Sequence, residues 1–320
     1  MVPEQKERFI VGPSPHLLSP KTTSFIMWAV FISLLPSGIA GVIIFGWSAL
    51  KVILLSIASC AFTEAIIQKL MHKKITLYDG SACLTGLLLG YNLSNCVPFW
   101  IPLVGGFFAI AVAKQAFGGL GKNIFNPALS ARVFLLVCWP SYMTKFTLPF
   151  QPDTITSATP LMALKKIDYL KSVPEYNYLE LFLGLRPGCI GEVCVLALLL
   201  GAGYLLFKKY ISWQAPLGFL FSLGLLSWIF DKNGYFKGDI LFSLLSGGVI
   251  LGAFFMATDY VTTPITKKGQ LLFGLGCGLI TFIIRRFTFS PEGVSFSILI
   301  MNAFTPLIDR YVKPKVYGKK

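Results

Sequence analysis

Charged residues are scarce in this chain. They make up 13% of its 320 residues, whereas 55% are hydrophobic and the mean hydropathy is +0.70. A soluble domain of this composition would expose more apolar surface to water than soluble proteins tolerate. The composition therefore predicts an integral membrane protein. The net charge of +14 then indicates basic cytoplasmic loops, and we expect no nucleic-acid partner.

Cysteine pairs and nucleotide-binding fingerprints are missing. Seven cysteines occur without a CxxC pair, and the spacing of Cys189 and Cys194 matches no standard iron–sulfur or zinc motif. We therefore predict no metal site within this chain, although ligands shared with a partner subunit stay open. The chain also lacks a dinucleotide-binding glycine fingerprint. Its N-terminal 21 residues are polar, which does not predict a cleavable signal peptide.

Long apolar runs fill most of the chain. A bilayer core about 30 Å thick needs about 20 helical residues. Runs of about this length predict about ten spans, near 24–46, 47–70, 79–95, 98–117, 127–141, 188–207, 212–230, 239–257, 270–285 and 293–309. The third and fifth are short enough to be half-helices or re-entrant pieces. The predicted fold class is an all-α integral membrane protein in which some helices are broken.

Lysine and arginine determine the predicted orientation, because cytoplasmic loops carry more of them. With both termini cytoplasmic, most basic side chains fall in inner loops. The resulting organisation is a cytoplasmic N-terminal segment 1–23, a first membrane repeat 24–141, an external loop 142–187, a second membrane repeat 188–309 and a basic cytoplasmic tail 310–320.

An internal echo supports the division into repeats. Asp79 to Gly90 reads DGSACLTGLLLG, and Gly238 to Gly252 reads GDILFSLLSGGVILG, five predicted spans later. An odd offset predicts two inverted five-helix repeats, whose broken helices usually build a site near the middle of the membrane. The alternative is that two glycine-rich apolar helices resemble each other by composition alone.

The loop between the fourth and fifth spans reads GGLGKNIFNPA, from Gly118 to Ala128. Asn126 is expected to cap the helix that Pro127 starts. The loop is not a phosphate-binding P-loop, because Lys122 is followed by asparagine instead of serine or threonine. Two interpretations stay open: a capped helix break, or the lining of a cofactor or ion cavity.

Five ionisable residues fall in or beside the predicted spans: Glu64, Lys114, Arg132, Glu192 and Asp259. A charge in the middle of a membrane helix is unfavourable by about 2.5 to 3.5 kcal/mol on insertion scales. We expect Lys114, Arg132 and Asp259 to lie at the inner interface, with their charged groups reaching water. Glu64 and Glu192 are expected to have interior roles.

A polar segment, DTITSATPL, interrupts the apolar pattern at Asp153 to Leu161. Its residue types also favour ordinary surface turns. The order of these residues, however, resembles the flavinylation motif of bacterial membrane redox complexes, in which a final threonine accepts a flavin. The matching residues are Asp153, Thr156, Ser157, Ala158 and the acceptor Thr159. Ser157 stands where many members of that group have glycine.

The rest of the chain resembles the D subunits of Rnf-type electron transport complexes, relatives of the B subunit of the sodium-pumping NADH:quinone oxidoreductase. The stretches that carry this resemblance are DGSACLTGLLLGYNL, GGLGKNIFNPA, DTITSATPL and GAFFMATDYVTTPIT, supported by GCIGEVCVLALLLG. Together with the spacing of the spans they cover most of residues 20–310. The resemblance implies a subunit of an ion-transporting ferredoxin:NAD⁺ oxidoreductase in the bacterial inner membrane, inactive alone.

The resemblance also implies the cofactors and partners. FMN would be joined through its phosphate to Thr159 by a flavin transferase, on the external side, and a second, non-covalent riboflavin is expected within the spans. Ferredoxin and NAD⁺ would bind to other subunits (A, B, C, E and G), and Na⁺ or H⁺ would be transported. Glu64, Glu192 and Asp259 are the candidates for contact with the coupling ion, and no residue is assigned as catalytic.

Two other functions remain open at this point. Glycine-rich broken helices and inverted repeats are also typical of solute transporters and channels, and such a protein would need no flavin. A scaffold that only holds other redox subunits would transfer electrons equally well without Thr159.

Overall fold

The structure is a computed structural model that describes residues 22–157, 159–161, 177–231, 234–288 and 293–313. Most of the predicted N-terminal segment and tail lie outside these ranges. The described helices are α1 Thr23–Phe45, α2 Trp47–Leu70, α3 Ser81–Tyr91, α4 Trp100–Phe107, α5 Pro127–Cys138, α6 Pro140–Met143, α7 Tyr178–Leu183, α8 Val195–Phe207, α9 Gln214–Ile229, α10 Ile240–Leu245, α11 Val249–Leu251, α12 Lys267–Phe287 and α13 Val294–Tyr311.

Two of these helices continue into π-helical stretches. The first, Phe108–Gln115, follows α4, and the second, Gly252–Met256, follows α11. Each is followed by a polar loop and then by a helix with a side-chain cap. Asn126 accepts hydrogen bonds from the backbone N–H groups of Ala128 and Leu129 at the start of α5, which confirms the predicted cap.

Membrane-length helices occur among the described residues. By length and composition, α1, α2 and α12 are long and apolar enough to cross a membrane. Shorter apolar helices accompany them: α3, α4 with its π-helical continuation, α5, α8 and α9. The third and fifth apolar runs form helices of only 11 and 12 residues, as their length predicted. The fold is consistent with a membrane protein made mostly of helices.

The predicted sixth run, 188–207, is helical only from Val195. Before it, the backbone N–H groups of Ile190 and Gly191 donate to the carbonyls of Leu93 and Tyr91, each at 3.0 Å. The hydroxyl of Ser37 donates to the carbonyl of Gly191 at 2.7 Å. The helix thus begins seven residues later than the predicted start of this run, because residues 190 and 191 form their hydrogen bonds with α1 and with the segment at the end of α3. The eighth run is also broken, between α10 and α11.

Two small hairpins correct the purely helical prediction. In the segment predicted as an external loop, β1 (Phe146–Leu148) pairs antiparallel with β2 (Gln151–Ser157). A second pair joins β3 (Phe230–Asp231) to β4 (Gly234–Tyr235). These segments lie between apolar helices, where short polar and aromatic runs pair locally.

The β1–β2 hairpin is fastened to the helices at several points. The hydroxyl of Thr147 donates to Asn95 Oδ1 at 2.9 Å, and the backbone N–H of Phe150 donates to the carbonyl of Ile44 at 3.0 Å. The Phe146 side chain is buried. We call the end of the helix bundle where this hairpin lies, beside the end of α1, the hairpin end.

Helix contacts in the first half of the chain are similar to those in the second half. In the first half α2 packs on α3 and α4, and in the second half α9 packs on α10 and α12. Helix α1 contacts α8, so the first helices of the two halves meet. Helix α5 contacts α13, so the last helices of the two halves meet as well.

The opposite end of the bundle, which we call the basic end, gathers the start of α1 and the ends of α2, α8 and α13. The hydroxyl of Ser24 donates to the carbonyl of Tyr78 at 3.1 Å, and the ring of Phe25 lies 6.1 Å from that of Tyr210. The backbone N–H of Ile265 donates to Asp309 at 3.1 Å. The segments joined here carry Lys69, Lys73, Lys74, Lys208, Lys209, Lys267, Lys268, Arg310 and Lys313.

Close contact between α9 and α12 yields a stability prediction. A Cβ atom on Gly218 would lie 2.7 Å from the carbonyl oxygen of Leu271, and one on Gly274 would overlap the carbonyl of Ala215. Small residues allow such close packing of membrane helices. We expect Gly274→Val to destabilise the protein by about 1 to 3 kcal/mol through overpacking, measured as a lower thermal unfolding midpoint in detergent.

Gly203→Val provides the matched control, because no described atom other than those of its chain neighbours and of its own helix backbone lies within 4 Å of the position that its Cβ would occupy. Both substitutions place valine within a helix, so their difference isolates the packing effect. Equal unfolding midpoints for the two variants would contradict the close packing of α9 on α12.

Candidate functional site

The predicted flavin acceptor, Thr159, lies just beyond strand β2. Thr159 is partly exposed, and Pro160, which follows it, is buried and begins a helical turn. Because proline disfavours the helical conformation in the residue before it, Thr159 is held in an extended or turn conformation. The threonine is thus presented at the boundary between a strand and a buried turn.

The other residues of the motif follow the strand. Asp153, Thr156 and Ser157 belong to β2, with Thr156 opposite Thr147 and Ser157 opposite Phe146. Ala158 lies outside the described residues. Since Thr147 and Phe146 anchor β1, the pairing also anchors the strand that leads to Thr159. The motif was predicted from the sequence but this hairpin was not, because its only signal was the polar, β-branched run around Thr154 to Thr156.

A buried ion pair lies inside the helix bundle, away from the β1–β2 hairpin. Lys114 Nζ lies 2.8 Å from Glu64 Oε1 and 2.9 Å from Oε2, and the two side chains are 2% and 1% exposed. Gln115 and Gln68 also donate to Glu64 Oε1, at 2.9 and 3.2 Å. Lys114 additionally donates to Ser81 Oγ at 2.7 Å. The Glu64 carboxylate is therefore surrounded by donors.

This geometry confirms the interior position predicted for Glu64 but corrects the prediction for Lys114. Lys114 does not reach water at the interface, because Glu64 holds its ammonium group inside the protein. Lys114 belongs to the π-helical stretch after α4, a type of helix distortion that is frequent at functional sites. Opposite charges in two separate apolar runs were the sequence signal for this pair.

A second buried cluster surrounds Cys189. Arg132, predicted at the interface, is 1% exposed; it donates to the carbonyl of Asn92 and lies 3.4 Å from Cys189 Sγ. Glu192, 8% exposed, accepts a hydrogen bond from the backbone N–H of Cys189 at 3.3 Å. Arg186, which was not among the residues predicted from the sequence, donates to the carbonyl of Glu192 at 3.3 Å. The cluster confirms an interior position for Glu192 and overturns the interface prediction for Arg132.

Asp259 lies in the loop after the second π-helical stretch. The hydroxyl of Thr262 donates to its Oδ2 at 3.3 Å. Burial of the carboxyl raises the pKa of Asp259 above its usual range, although hydrogen bonds from the backbone of Val261, from Thr262 and from the backbone of Tyr260 oppose the shift. Asp259 therefore keeps its proton to a higher pH than an exposed aspartate does.

A cavity of about 70 Å³ opens between the two polar loops near the basic end. Its lining combines aliphatic and phenylalanine side chains with a few polar residues, among them Ser81, Lys114, Asn123, Asn126 and Asp259. An apolar cavity with a few convergent polar groups is typical of binding sites. In the loop GGLGKNIFNPA, Asn126 caps α5, as predicted, and also lines this cavity.

The predicted site residues do not form one site. Glu64, through Lys114, and Asp259 border the same cavity, whereas Glu192 belongs to the cluster around Cys189. Thr159 lies beyond the hairpin, at the other end of the bundle. Within the described ranges, no group of three or more histidine, cysteine, aspartate or glutamate side chains is arranged to hold a metal ion.

The chain is similar to known proteins over almost its whole length. Residues 10–318 match the model of the NQR2, RnfD, RnfE family. The chain belongs to this family. It is 47% identical, over 96% of its length and 95% of the relative's, to the D subunit of the Na(+)-translocating ferredoxin:NAD(+) oxidoreductase complex of Acetobacterium woodii.

Other members of the family show similar coverage. The D subunit of the proton-translocating ferredoxin:NAD(+) oxidoreductase complex of Clostridium ljungdahlii is 44% identical over 99% of this chain and 98% of its own length. The D subunit of the ion-translocating oxidoreductase complex of Stutzerimonas stutzeri is 39% identical over 92% of each chain. The relatives therefore match nearly the whole chain, so the resemblance does not rest on a single motif.

The buried ion pair yields a prediction that requires no assumption about function. Removing one partner leaves an uncompensated charge inside the protein, and we expect Lys114→Met or Glu64→Gln to destabilise it by about 3 to 5 kcal/mol. The double variant should lose less than the sum of the single variants, because neither charge remains. Thermal unfolding in detergent measures the three changes.

Lys122→Met serves as the control, because Lys122 is an exposed lysine only eight residues further along the chain. A Lys114→Met variant as stable as Lys122→Met would show that the ion pair contributes nothing.

Proposed function

We propose that the protein is the flavin-carrying membrane subunit of an ion-translocating ferredoxin:NAD⁺ oxidoreductase, and that it relays electrons through FMN attached to Thr159. The names of the A. woodii and C. ljungdahlii relatives support the complex and its reaction. The motif at the end of β2 is the observation that supports the covalent flavin, because it supplies an acceptor threonine in the expected sequence order.

The residues present are compatible with a phosphate ester at Thr159. Thr159 is partly exposed, so a modifying enzyme can reach it, and the buried Pro160 that follows fixes the backbone beside it. The hairpin contacts through Thr147 and Phe150 limit the movement of the attachment point. FMN supplies one- and two-electron transfer when bound, and the protein contributes mainly its position and surroundings.

The proposal includes partners. A flavin transferase would form the ester, and the A, B, C, E and G subunits of an Rnf-type complex would provide ferredoxin and NAD⁺ sites and further electron carriers. The composition of this chain, without cysteine motifs or a dinucleotide fingerprint, supports that division of work. A second flavin, riboflavin, is proposed to bind non-covalently among the helices.

The coupled ion is proposed to be Na⁺ or H⁺, because the relatives' names include both. Glu64, Glu192 and Asp259 remain the proposed contacts for the ion. Of these, Asp259 borders the cavity and carries a raised pKa, whereas the Glu64 carboxylate already accepts hydrogen bonds from Lys114 and two glutamines. A cation at Glu64 would therefore have to displace the Lys114 ammonium group.

We propose that the basic end faces the cytoplasm and the hairpin end faces the exterior of the inner membrane. The accumulation of lysines at one end supports this orientation. The repeats are proposed to be inverted: α1 starts at the basic end whereas α8, its counterpart in the second half, ends there. In this proposed arrangement the chain crosses the membrane about ten times, about five times in each repeat.

The decisive experiment concerns Thr159. We expect wild-type protein, co-expressed with a flavin transferase, to give a fluorescent flavin band after denaturing electrophoresis. Thr159→Ala should lose the band, because alanine has no hydroxyl to esterify. In-gel fluorescence and the mass of the intact protein both measure the modification.

Thr154→Val is the matched control, since it removes a hydroxyl from β2, the strand that leads to Thr159, and keeps the β-branched shape. Its band should equal that of the wild type. A wild type without fluorescence, in the presence of a transferase that modifies a control substrate, would remove the support for an electron relay and favour a flavin-free transporter. A Thr159→Ala complex that transfers electrons normally would instead indicate a scaffold.

A further inference from the structure

A chain of hydrogen bonds connects the basic end with the cavity wall. Asp79 is partly exposed at the basic end, in the turn before α3. Ser81 Oγ donates to Asp79 Oδ1 at 2.6 Å, and Lys114 Nζ donates to Ser81 Oγ at 2.7 Å. Ser81 and Lys114 both line the cavity. Since a hydroxyl group can accept one proton while it donates another, Ser81 links two titratable groups.

We propose that Asp79, Ser81 and Lys114 form a proton relay from the basic end of the bundle to the cavity. The cycle begins when the Lys114 ammonium group gives a proton to an organic redox group that takes up a proton on reduction. Asp79 takes a proton from water and passes it to Ser81 Oγ, while the Ser81 hydroxyl proton passes to the neutral Lys114 amine. Asp79 is again a carboxylate, Ser81 a hydroxyl and Lys114 an ammonium group.

The Glu64 carboxylate supplies the driving force for reloading. With Lys114 neutral, Glu64 would be a buried carboxylate without a compensating charge, which is strongly unfavourable. Its two oxygens lie 2.8 and 2.9 Å from Nζ, close enough to pair directly with the ammonium group. The relay is thus expected to return to the charged pair after each transfer.

Other titratable groups surround the relay. Cys60 on α2 and Cys83 on α3 lie close enough to Lys114 and Glu64 to interact electrostatically, and Asp259 borders the cavity. Neither cysteine donates to Ser81 in the structure. The reloading path follows from the geometry, whereas the release of a proton into the cavity rests on the proposed redox function.

A purely structural role predicts different behaviour. Asp79 Oδ1 also accepts the backbone N–H of Ser81 at 2.8 Å, so the aspartate helps to begin α3. The substitution Ser81→Ala separates the two roles, because it removes the hydroxyl and keeps both the backbone N–H and the Cβ atom. A cap or packing role would change stability alone, whereas a relay would change the rate of proton uptake.

The experiment uses the whole purified complex, mixed rapidly with a chemical reductant in weakly buffered solution. Flavin absorbance follows electron uptake, and a pH-indicator dye follows proton uptake. We expect Ser81→Ala to slow proton uptake at least about 100-fold, the lower end of the usual contribution of a positioned proton-transfer group. Ser81→Thr, which keeps a hydroxyl, should restore the wild-type rate, and Asp79→Asn should slow it as Ser81→Ala does.

Ser56→Ala is the matched control. Ser56 is a fully buried serine of α2 whose hydroxyl donates to the carbonyl of Val52 in its own helix at 2.8 Å. The Ser56→Ala complex should take up protons at the wild-type rate. Equal rates in the wild type and Ser81→Ala would overturn the relay. If Ser81→Ala does not fold, Asp79→Asn decides the question, since asparagine keeps an oxygen for the Ser81 N–H.

The outcome is independent of the flavin at Thr159. Loss of the fluorescent band would remove the proposed function of that residue, whereas slow proton uptake in Ser81→Ala with a normal control would still establish the relay. Conversely, a fluorescent band with unchanged proton uptake would leave the flavin proposal standing and eliminate the relay.

Discussion

The lack of water in a bilayer is the constraint on which this structure depends. Each buried polar group must find its partner within the protein, since an unpaired one is strongly unfavourable. The Glu64–Lys114 pair meets this requirement with further donors from two glutamines and an acceptor from Ser81. The irregular backbone at Ile190 and Gly191 meets it by bonding to the end of α3. Broken helices are tolerated here because other protein segments complete their hydrogen bonds.

Two polar regions lie toward opposite ends of the bundle. The β1–β2 hairpin holds the segment that leads to Thr159 at one end of the bundle. The cavity, the ion pair and Asp259 lie toward the other end. In the proposed electron relay, electron entry or exit would therefore occur at the hairpin end, whereas proton exchange would occur at the basic end. A separation of this kind keeps electron exchange and proton exchange apart.

The interior charges illustrate why local sequence did not reveal the site. Lys114 lies near the end of an apolar run, where a lysine usually extends its ammonium group to the membrane surface. It points inward because the π-helical stretch and the proximity of α2 bring it to Glu64, 50 residues earlier in the chain. Arg132 likewise meets Asn92 and Cys189, which no spacing rule would pair with it.

The sequence by itself determined the membrane class, the apolar runs, the short third and fifth helices, the Asn126 cap and the family motifs. These depend on composition and on neighbours within a few residues. Only the tertiary structure decided that the sixth run starts late, that the Thr159 segment follows a hairpin, and that Glu64, Lys114, Ser81 and Asp79 are connected. Such contacts join distant parts of the chain. They form because buried charges and backbone groups outside helices need hydrogen-bond or ion-pair partners, and the tertiary fold decides which residues those partners are.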